Sequence, residues 1–345
     1  MGTIELSLEE EVTELRVRAV RESEVWAAGR GRVWRRKNDE EWQEILDPCS
    51  SFPKCLLGRA EISSRLLRLG VHDILTLGSG ETLVVANGKI VHLTSGDQWR
   101  VVHKIQRGKR PLRQGITCTA DGEIYYGEYW NNSDRRAVRI WGSFDGGKTW
   151  EPVYTFPEGE IRHVHTLSYD SFGDLIWVGT GDRDRECQIA YSDDGCRSFQ
   201  PIGSGGQTWR ATSLLFTNNS VFWGTDNPEG DNYLCRWDRA EEELHRVGSV
   251  VGPVYYSTKV GRHLIFSTAV ERGEGEQDGY ARLYALPPDG NLQEVFRLKK
   301  DFLHPVLFGY GWFEFPHGNA GENSFWAATK GLVGGRRSFL FQIED

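Results

Sequence analysis

Residues 143–150 read Ser-Phe-Asp-Gly-Gly-Lys-Thr-Trp, and residues 192–199 read Ser-Asp-Asp-Gly-Cys-Arg-Ser-Phe. Ser143 matches Ser192, Asp145 matches Asp194 and Trp150 matches Phe199, at a spacing of 49 residues. A polar hairpin that returns at such a period is the mark of a repeat architecture, in which one small unit recurs and neighbouring units bury each other's apolar faces.

The stretch between the two octets shows what the unit is. Residues 165–169, 175–180, 188–191 and 199–202 read as four short strands, separated by clusters of Gly, Asp and other turn formers. Four antiparallel strands per period of about 50 residues is a propeller blade. The same order recurs along the chain. Second strands are expected at 25–28, 82–86, 123–127, 175–180, 221–224, 263–268 and 324–329. Hairpins between third and fourth strands are expected at Asn38-Asp39, Gly96-Asp97, Gly146-Gly147, Asp194-Gly195, Ala240-Glu241 and Asp289-Gly290. Trp42, Trp99, Trp150 and Phe199 close four of them. The seventh unit stops one strand short, and residues 3–8 offer a spare strand of suitable alternation. The expectation is an all-β chain, a single seven-bladed propeller over residues 1–345, its N-terminal strand completing the last blade and so removing an open sheet edge.

The chemistry of the octet is that of a turn. Gly146, Gly147 and Gly195 supply positive φ without a Cβ clash, the Asp carboxylate accepts turn N–H groups, and the closing aromatic ring buries a large apolar face. The octet resembles the Asp box (Ser-x-Asp-x-Gly-x-Thr-Trp) of the sialidase-like, BNR-repeat propellers. The second copy departs from it with Cys196 for the later Gly and Phe199 for Trp. In that superfamily the box lies away from the substrate, so Asp145 and Asp194 are expected to hold turns.

Composition limits the partners. Aromatic residues make up 12% of the chain, with 13 Trp, which favours half-buried strands. The net charge of −8 argues against nucleic acid, whose phosphates require clustered Lys and Arg. No 18-residue apolar span is present, so no membrane-crossing helix is expected. The first residues lack a basic and an apolar leader region, which gives a cytoplasmic expectation. Cys118, Cys187 and Cys235 read as buried thiols; Cys49 and Cys55 are close enough in a loop to pair, which a reducing compartment disfavours. No zinc-type spacing and no cofactor motif occur.

In a propeller, the segment entering each innermost strand and the loop following each second strand emerge on one face. The first set is His72-Asp73, Arg113-Gln114, Arg162 to His165, Trp209-Arg210, Tyr255 to Ser257 and Tyr310 to Trp312. The second is Glu128 to Asn131, Asp182 to Asp184, Asp226-Asn227 and Glu271-Arg272. Arg113 and Arg210 suit a sugar carboxylate, with His165, Trp209, Asp182, Tyr310 and His72 as further binding residues. His163, Tyr256, Glu128 and Asp226 are the candidates for proton transfer. His163 and His165 also have metal-ligand spacing on one strand face, without an evident third ligand in the sequence.

The resemblance implies an acidic saccharide as substrate and offers two chemistries: hydrolysis of the sialidase kind, with Tyr, Glu and Asp, or β-elimination from a uronate, with His or Tyr as base. The sialidase Arg-Ile-Pro signature is absent. A non-catalytic binding or assembly module is the alternative, since the fold alone assigns no function.

Overall fold

The computed structural model describes residues 3–38, 40–48, 57, 59–271, 273–276, 278–288, 290–318 and 320–344. They form seven sheets of four antiparallel strands arranged in a ring. Six blades are continuous in sequence, over residues 16–46, 71–104, 116–156, 163–204, 215–250 and 254–299. The seventh comprises Trp312–Glu314, Ser324–Lys330 and Arg337–Glu344, with Glu5–Thr13 as its outermost strand. The first strand of each continuous blade lies innermost, and the second is almost wholly buried, as in Thr82–Ala86, Ser220–Gly224 and His263–Thr268.

Because successive side chains point to opposite faces, the continuously buried second strands place apolar side chains on both faces of each blade, and the core is divided among the blade interfaces. Among the described residues there are seven clusters of buried apolar side chains, one between each pair of neighbouring blades. Trp26, Trp223 and Trp326 fill three of the interfaces at 3%, 0% and 2% exposure. Wide aromatic wedges of this kind suit blades that splay apart toward the rim.

The spare N-terminal strand does complete the last blade, and it is longer than the sequence suggested. Glu5 pairs with Glu344 and the ladder runs through to Thr13 opposite Arg337, interrupted by a bulge between Leu8 and Glu10. The run Glu9-Glu10-Glu11 hides this extension in sequence. An outer edge strand tolerates it because its carboxylates find partners across the closure: Arg36 of the first blade donates to Glu10 at 2.8 Å and Arg337 to Glu11 at 3.1 Å.

The two octets fold identically. In the first, Asp145 Oδ1 accepts from the N–H groups of Lys148 and Thr149 at 3.0 and 2.9 Å, and the Thr149 hydroxyl donates to Oδ2 at 2.7 Å. In the second, Asp194 accepts from Arg197, Ser198 and the Ser198 hydroxyl at 2.9, 3.0 and 2.7 Å. The substitution of Cys196 for Gly has a packing reason. Gly147 has φ 84°, and a Cβ there would lie 2.7 Å from Leu83 Cδ1. Cys196 accepts φ 63° and buries its thiol among the apolar side chains between the third and fourth blades.

Phe199 packs edge-on against Tyr154 at 5.0 Å. Trp150 lies 5.4 Å from Tyr126. Trp99 differs from the expectation: it is 46% exposed and opens an outer strand instead of wedging an interface. The expected turn residues Asp39 and Asp289, together with Cys49 and Cys55, lie outside the described residues. Cys118, Cys187, Cys196 and Cys235 are unpaired; Cys118 is half-buried, the other three buried, and Cys187 precedes its strand. No helix among the described residues is long and apolar enough to cross a membrane.

Two predictions follow from closure and turn. Ile4 is 7% exposed between the sixth and seventh blades. Ile4→Ala should cost about 2–5 kcal/mol, and removal of residues 1–13 considerably more, both measured by denaturant unfolding. For Asp194, burial would raise the pKa, but the Ser198 and Ser192 hydroxyls and the backbone N–H groups outweigh it and hold the group at about 2. A carboxylate depressed in the folded state stabilises above its unfolded pKa and loses that contribution as pH falls through the folded value. Asp194→Ala should therefore lower Tm at pH 7, with the difference from the parent shrinking between pH 4 and pH 2.

Candidate functional site

The site is built by one device repeated in successive blades. The second strand of a blade ends on a small residue because the next blade's innermost strand crosses it closely. A Cβ on Gly127 would lie 2.4 Å from Val164 Cγ1, and one on Gly224 2.3 Å from Val254 Cβ. One to three residues beyond the second strands of the third to sixth blades come the acids Glu128, Asp182, Asp226 and Glu271. Backbone bonds fix these loops: the Val164 N–H donates to Glu128 O at 3.1 Å, Asp226 N–H to Arg210 O at 3.0 Å, and Val254 N–H to Thr225 O at 2.9 Å.

Asp182 is the hub. Its Oδ1 lies 3.2 Å from His165 Nε2, 3.5 Å from His163 Nε2 and 3.4 Å from Arg210 Nη2, and Arg162 pairs with its Oδ2. The two histidine Nε2 atoms are 3.0 Å apart. His163 Nδ1 lies 2.9 Å from the Trp130 carbonyl, which can only accept, so this nitrogen carries the proton. The Tyr129 ring covers His163 at 4.2 Å. Asp182 has φ 153°, a conformation that side-chain-bearing residues rarely adopt. Such backbone strain costs about 1–3 kcal/mol and persists where the surrounding structure over-determines it.

One blade on, Arg210 Nε donates to Asp226 Oδ2 at 3.0 Å. In the sixth blade the Tyr255 hydroxyl donates to Glu271 Oε1. These acids do not ionise alike. Burial would raise Asp182, but its hydrogen bonds with His163 and His165 outweigh that and hold it far below the usual carboxylate range. Burial raises Asp226 to about 6, with Arg210 opposing and Asp182 reinforcing. Burial, then the charge of Asp226, raises Glu271 to about 8, again against Arg210. Burial lowers His165 to about 4, and the Asp182 hydrogen bond restores only part of that. Burial also raises the Tyr129 and Tyr310 hydroxyls.

The structure thus brings together His163, His165, Asp182, Arg210 and Asp226, with Tyr310 close enough to feel Glu271 and Asp226. Other expected site residues have different tasks. Glu128 turns into its own blade, where it accepts from Arg139 N at 3.0 Å and Trp141 Nε1 at 3.2 Å. Arg113 pairs with buried Asp73 and donates to the Arg18 and Phe315 carbonyls at 3.1 and 2.6 Å. It therefore ties the first, second, third and seventh blades together at the axis.

His72 is half-buried near that belt and held well below its usual pKa by desolvation and by Arg110. Tyr256 is 2% exposed, and burial raises its hydroxyl. Trp209 stacks on Trp223 at 5.6 Å and lies against Gly203, forming a wall of the blade and not a free platform. Glu271, Tyr255, Tyr129 and Arg162 complete the cluster although the residue-type reading did not select them. The signal that places them is the blade order, which puts the starts of the innermost strands and the loops after the second strands on one face.

The class defined here is a seven-bladed β-propeller with a charged histidine–carboxylate–arginine cluster on the face opposite the two octet turns. No protein-family model matches the sequence, and no curated protein matches it. Solved structures share the fold over nearly the whole chain. Virginiamycin B lyase from Staphylococcus aureus superposes with a TM-score of 0.63 at 13% identity, covering 98% of this chain and 99% of that one. Oligogalacturonate lyase in complex with manganese gives 0.62 at 10% identity over 94% and 86%. A prolyl endopeptidase gives 0.56 at 10% identity over 99% of this chain and 50% of that one. At these identities the likeness is one of fold.

The raised carboxyl of Glu271 makes a prediction about stability. A group whose pKa is higher in the folded state stabilises below its unfolded value and loses that contribution as pH rises through the folded one. For Glu271 the window runs from about 4.5 to about 8. Glu271→Gln should leave Tm near the parent's at pH 5 and exceed it at pH 9, as thermal unfolding at the two values will show.

Proposed function

We propose that this propeller is a lyase that cleaves a carboxylate-bearing saccharide of the uronate type at the cluster around Asp182. The supporting observation is that Arg162 and Arg210 converge on Asp182, and that Arg210 also neighbours two carboxyl groups, Asp226 and Glu271, whose surroundings push their proton affinities apart. Pairs of titratable groups separated in this way mark acid and base assignments.

In this reading the arginines receive the substrate carboxylate and stabilise the negative charge that builds on it when the adjacent carbon loses its proton. Asp226, ionised above about 6, takes that proton. Glu271, protonated below about 8 and hydrogen-bonded by Tyr255, gives one to the departing glycosidic oxygen. The carbon–oxygen bond breaks, a carbon–carbon double bond forms, and no water is consumed. Lyases among the structures of like fold make the same reaction class chemically natural on this scaffold. Kinship with the Asp-box propellers, carried by the octets, belongs to the same proposal.

The test is incubation of the protein with uronate-containing oligosaccharides, followed by ultraviolet absorbance for the unsaturated product and by a reducing-end assay. Absorbance rising with reducing ends is the expected result. Reducing ends without absorbance would identify a hydrolase. Neither signal would favour a binding module, a reading consistent with the Arg210–Asp226 and Arg162–Asp182 pairs satisfying one another. The rate should peak between about pH 6 and 8, because activity requires Asp226 ionised and Glu271 protonated. Glu271→Gln should lower the rate at least tenfold and abolish the alkaline limb of the profile.

A further inference from the structure

We propose that His163, His165 and Asp182 bind one divalent transition-metal ion. The three facing atoms form a triangle with edges of 3.0, 3.2 and 3.5 Å. An ion bound to nitrogen and oxygen at about 2.1 Å separates neighbouring ligands by roughly 3.0 Å at right angles and by roughly 3.4 Å in a tetrahedron. The triangle therefore has the dimensions of one face of a coordination shell, on two buried imidazoles and a half-buried carboxylate.

The orientation of two of the three ligands, His163 and Asp182, is prepared from outside the triangle. The Trp130 carbonyl takes the Nδ1 proton of His163 at 2.9 Å, leaving the Nε2 lone pair directed inward. Arg162 holds Asp182 by Oδ2, and Oδ1 faces the two imidazoles with Arg210 Nη2 at 3.4 Å on its other side. Partners of this kind fix the tautomer and orientation of metal-ligating histidines and carboxylates. The facing Nε2 atoms point the same way, because a single proton between two nitrogens satisfies them less fully than a shared cation. One blade along, Asp226 Oδ1 is buried without a hydrogen-bond partner, although Arg210 joins Asp226 to Asp182. Water held on an ion is a natural donor to such an oxygen.

Two imidazoles and one carboxylate favour a first-row transition ion over magnesium or calcium, which prefer all-oxygen shells. Three protein ligands leave positions open for water or for substrate oxygens.

The site goes beyond the lyase reading, and its test uses no substrate, so failure of one leaves the other standing. The full-length protein, stripped with chelator and dialysed, is titrated with Co²⁺ by visible absorbance and with Zn²⁺ and Mn²⁺ by calorimetry. The expected result is one ion per chain, undisturbed by excess Mg²⁺, with Tm raised on loading. His165→Gln and Asp182→Asn should each weaken binding by about 100-fold or more, with circular dichroism establishing that both fold. If either fails to fold, His163→Gln takes its place. A second trio, Glu241, Glu243 and His245, lies on an outer hairpin and is the internal competitor. Binding that survives His165→Gln and Asp182→Asn but disappears with His245→Gln would overturn the proposal. So would the absence of stoichiometric binding by the folded parent protein.

Discussion

The pairing of Glu5–Thr13 with Arg337–Glu344 is the contact on which the rest of the molecule depends. Each apolar cluster lies between two blades, so no blade has a complete core of its own. An open chain of blades would leave one such interface and two sheet edges in water. Closure turns a one-dimensional array into a ring in which every interface is occupied. It also fixes the blade positions from which the site residues project. The strand performing it carries acidic side chains on its outward run because it is the outermost strand, and Arg36 and Arg337 bind them across the closure.

At the axis, the ring is held by charge as well as by apolar packing. Arg18 pairs with Glu314, and Arg113 with Asp73; Trp312 Nε1 donates to Glu314 at 3.0 Å. Buried pairs of this kind add little net stability against an apolar alternative, but losing one partner strands a buried charge. Their contribution here is positional, since residues from the first, second, third and seventh blades meet in one network. The cluster around Asp182 occupies the remaining arc, built on the fourth to sixth blades with Tyr129 and Tyr310 at its borders. The same kind of position, the start of an innermost strand, thus serves structure on one side of the ring and the candidate chemistry on the other.

The octets and the candidate site are related through the blade register, because a strand that begins on one face ends on the other. The octets close third-to-fourth-strand turns, while the acids follow second strands. Antiparallel order places these two sets on opposite faces. The octets lie away from the candidate site, and Asp145 and Asp194 have their oxygens engaged by turn N–H and hydroxyl groups.

The sequence by itself determined the architecture: seven units, the strand order within each, the completing N-terminal strand and the structural nature of the octets. Period-2 alternation and turn chemistry are local, and local rules survive without knowledge of neighbours. It also collected the right loops, so Asp182, Asp226 and Glu271 were legible as a set. Only the tertiary structure decided which members face one another. Glu128 also follows a second strand, yet its ladder position is that of Thr180 and not of Asp182, and it turns toward Trp141 while Asp182 gathers His163, His165, Arg162 and Arg210. Arg113 has the same side chain as Arg210, yet buried Asp73 claims it. Asp182 as third partner to the histidine doublet lies just past another strand, brought opposite by the pairing of His163 with Gly181. A side chain's partners are set by distances across blades, and those distances exist only once the ring has closed.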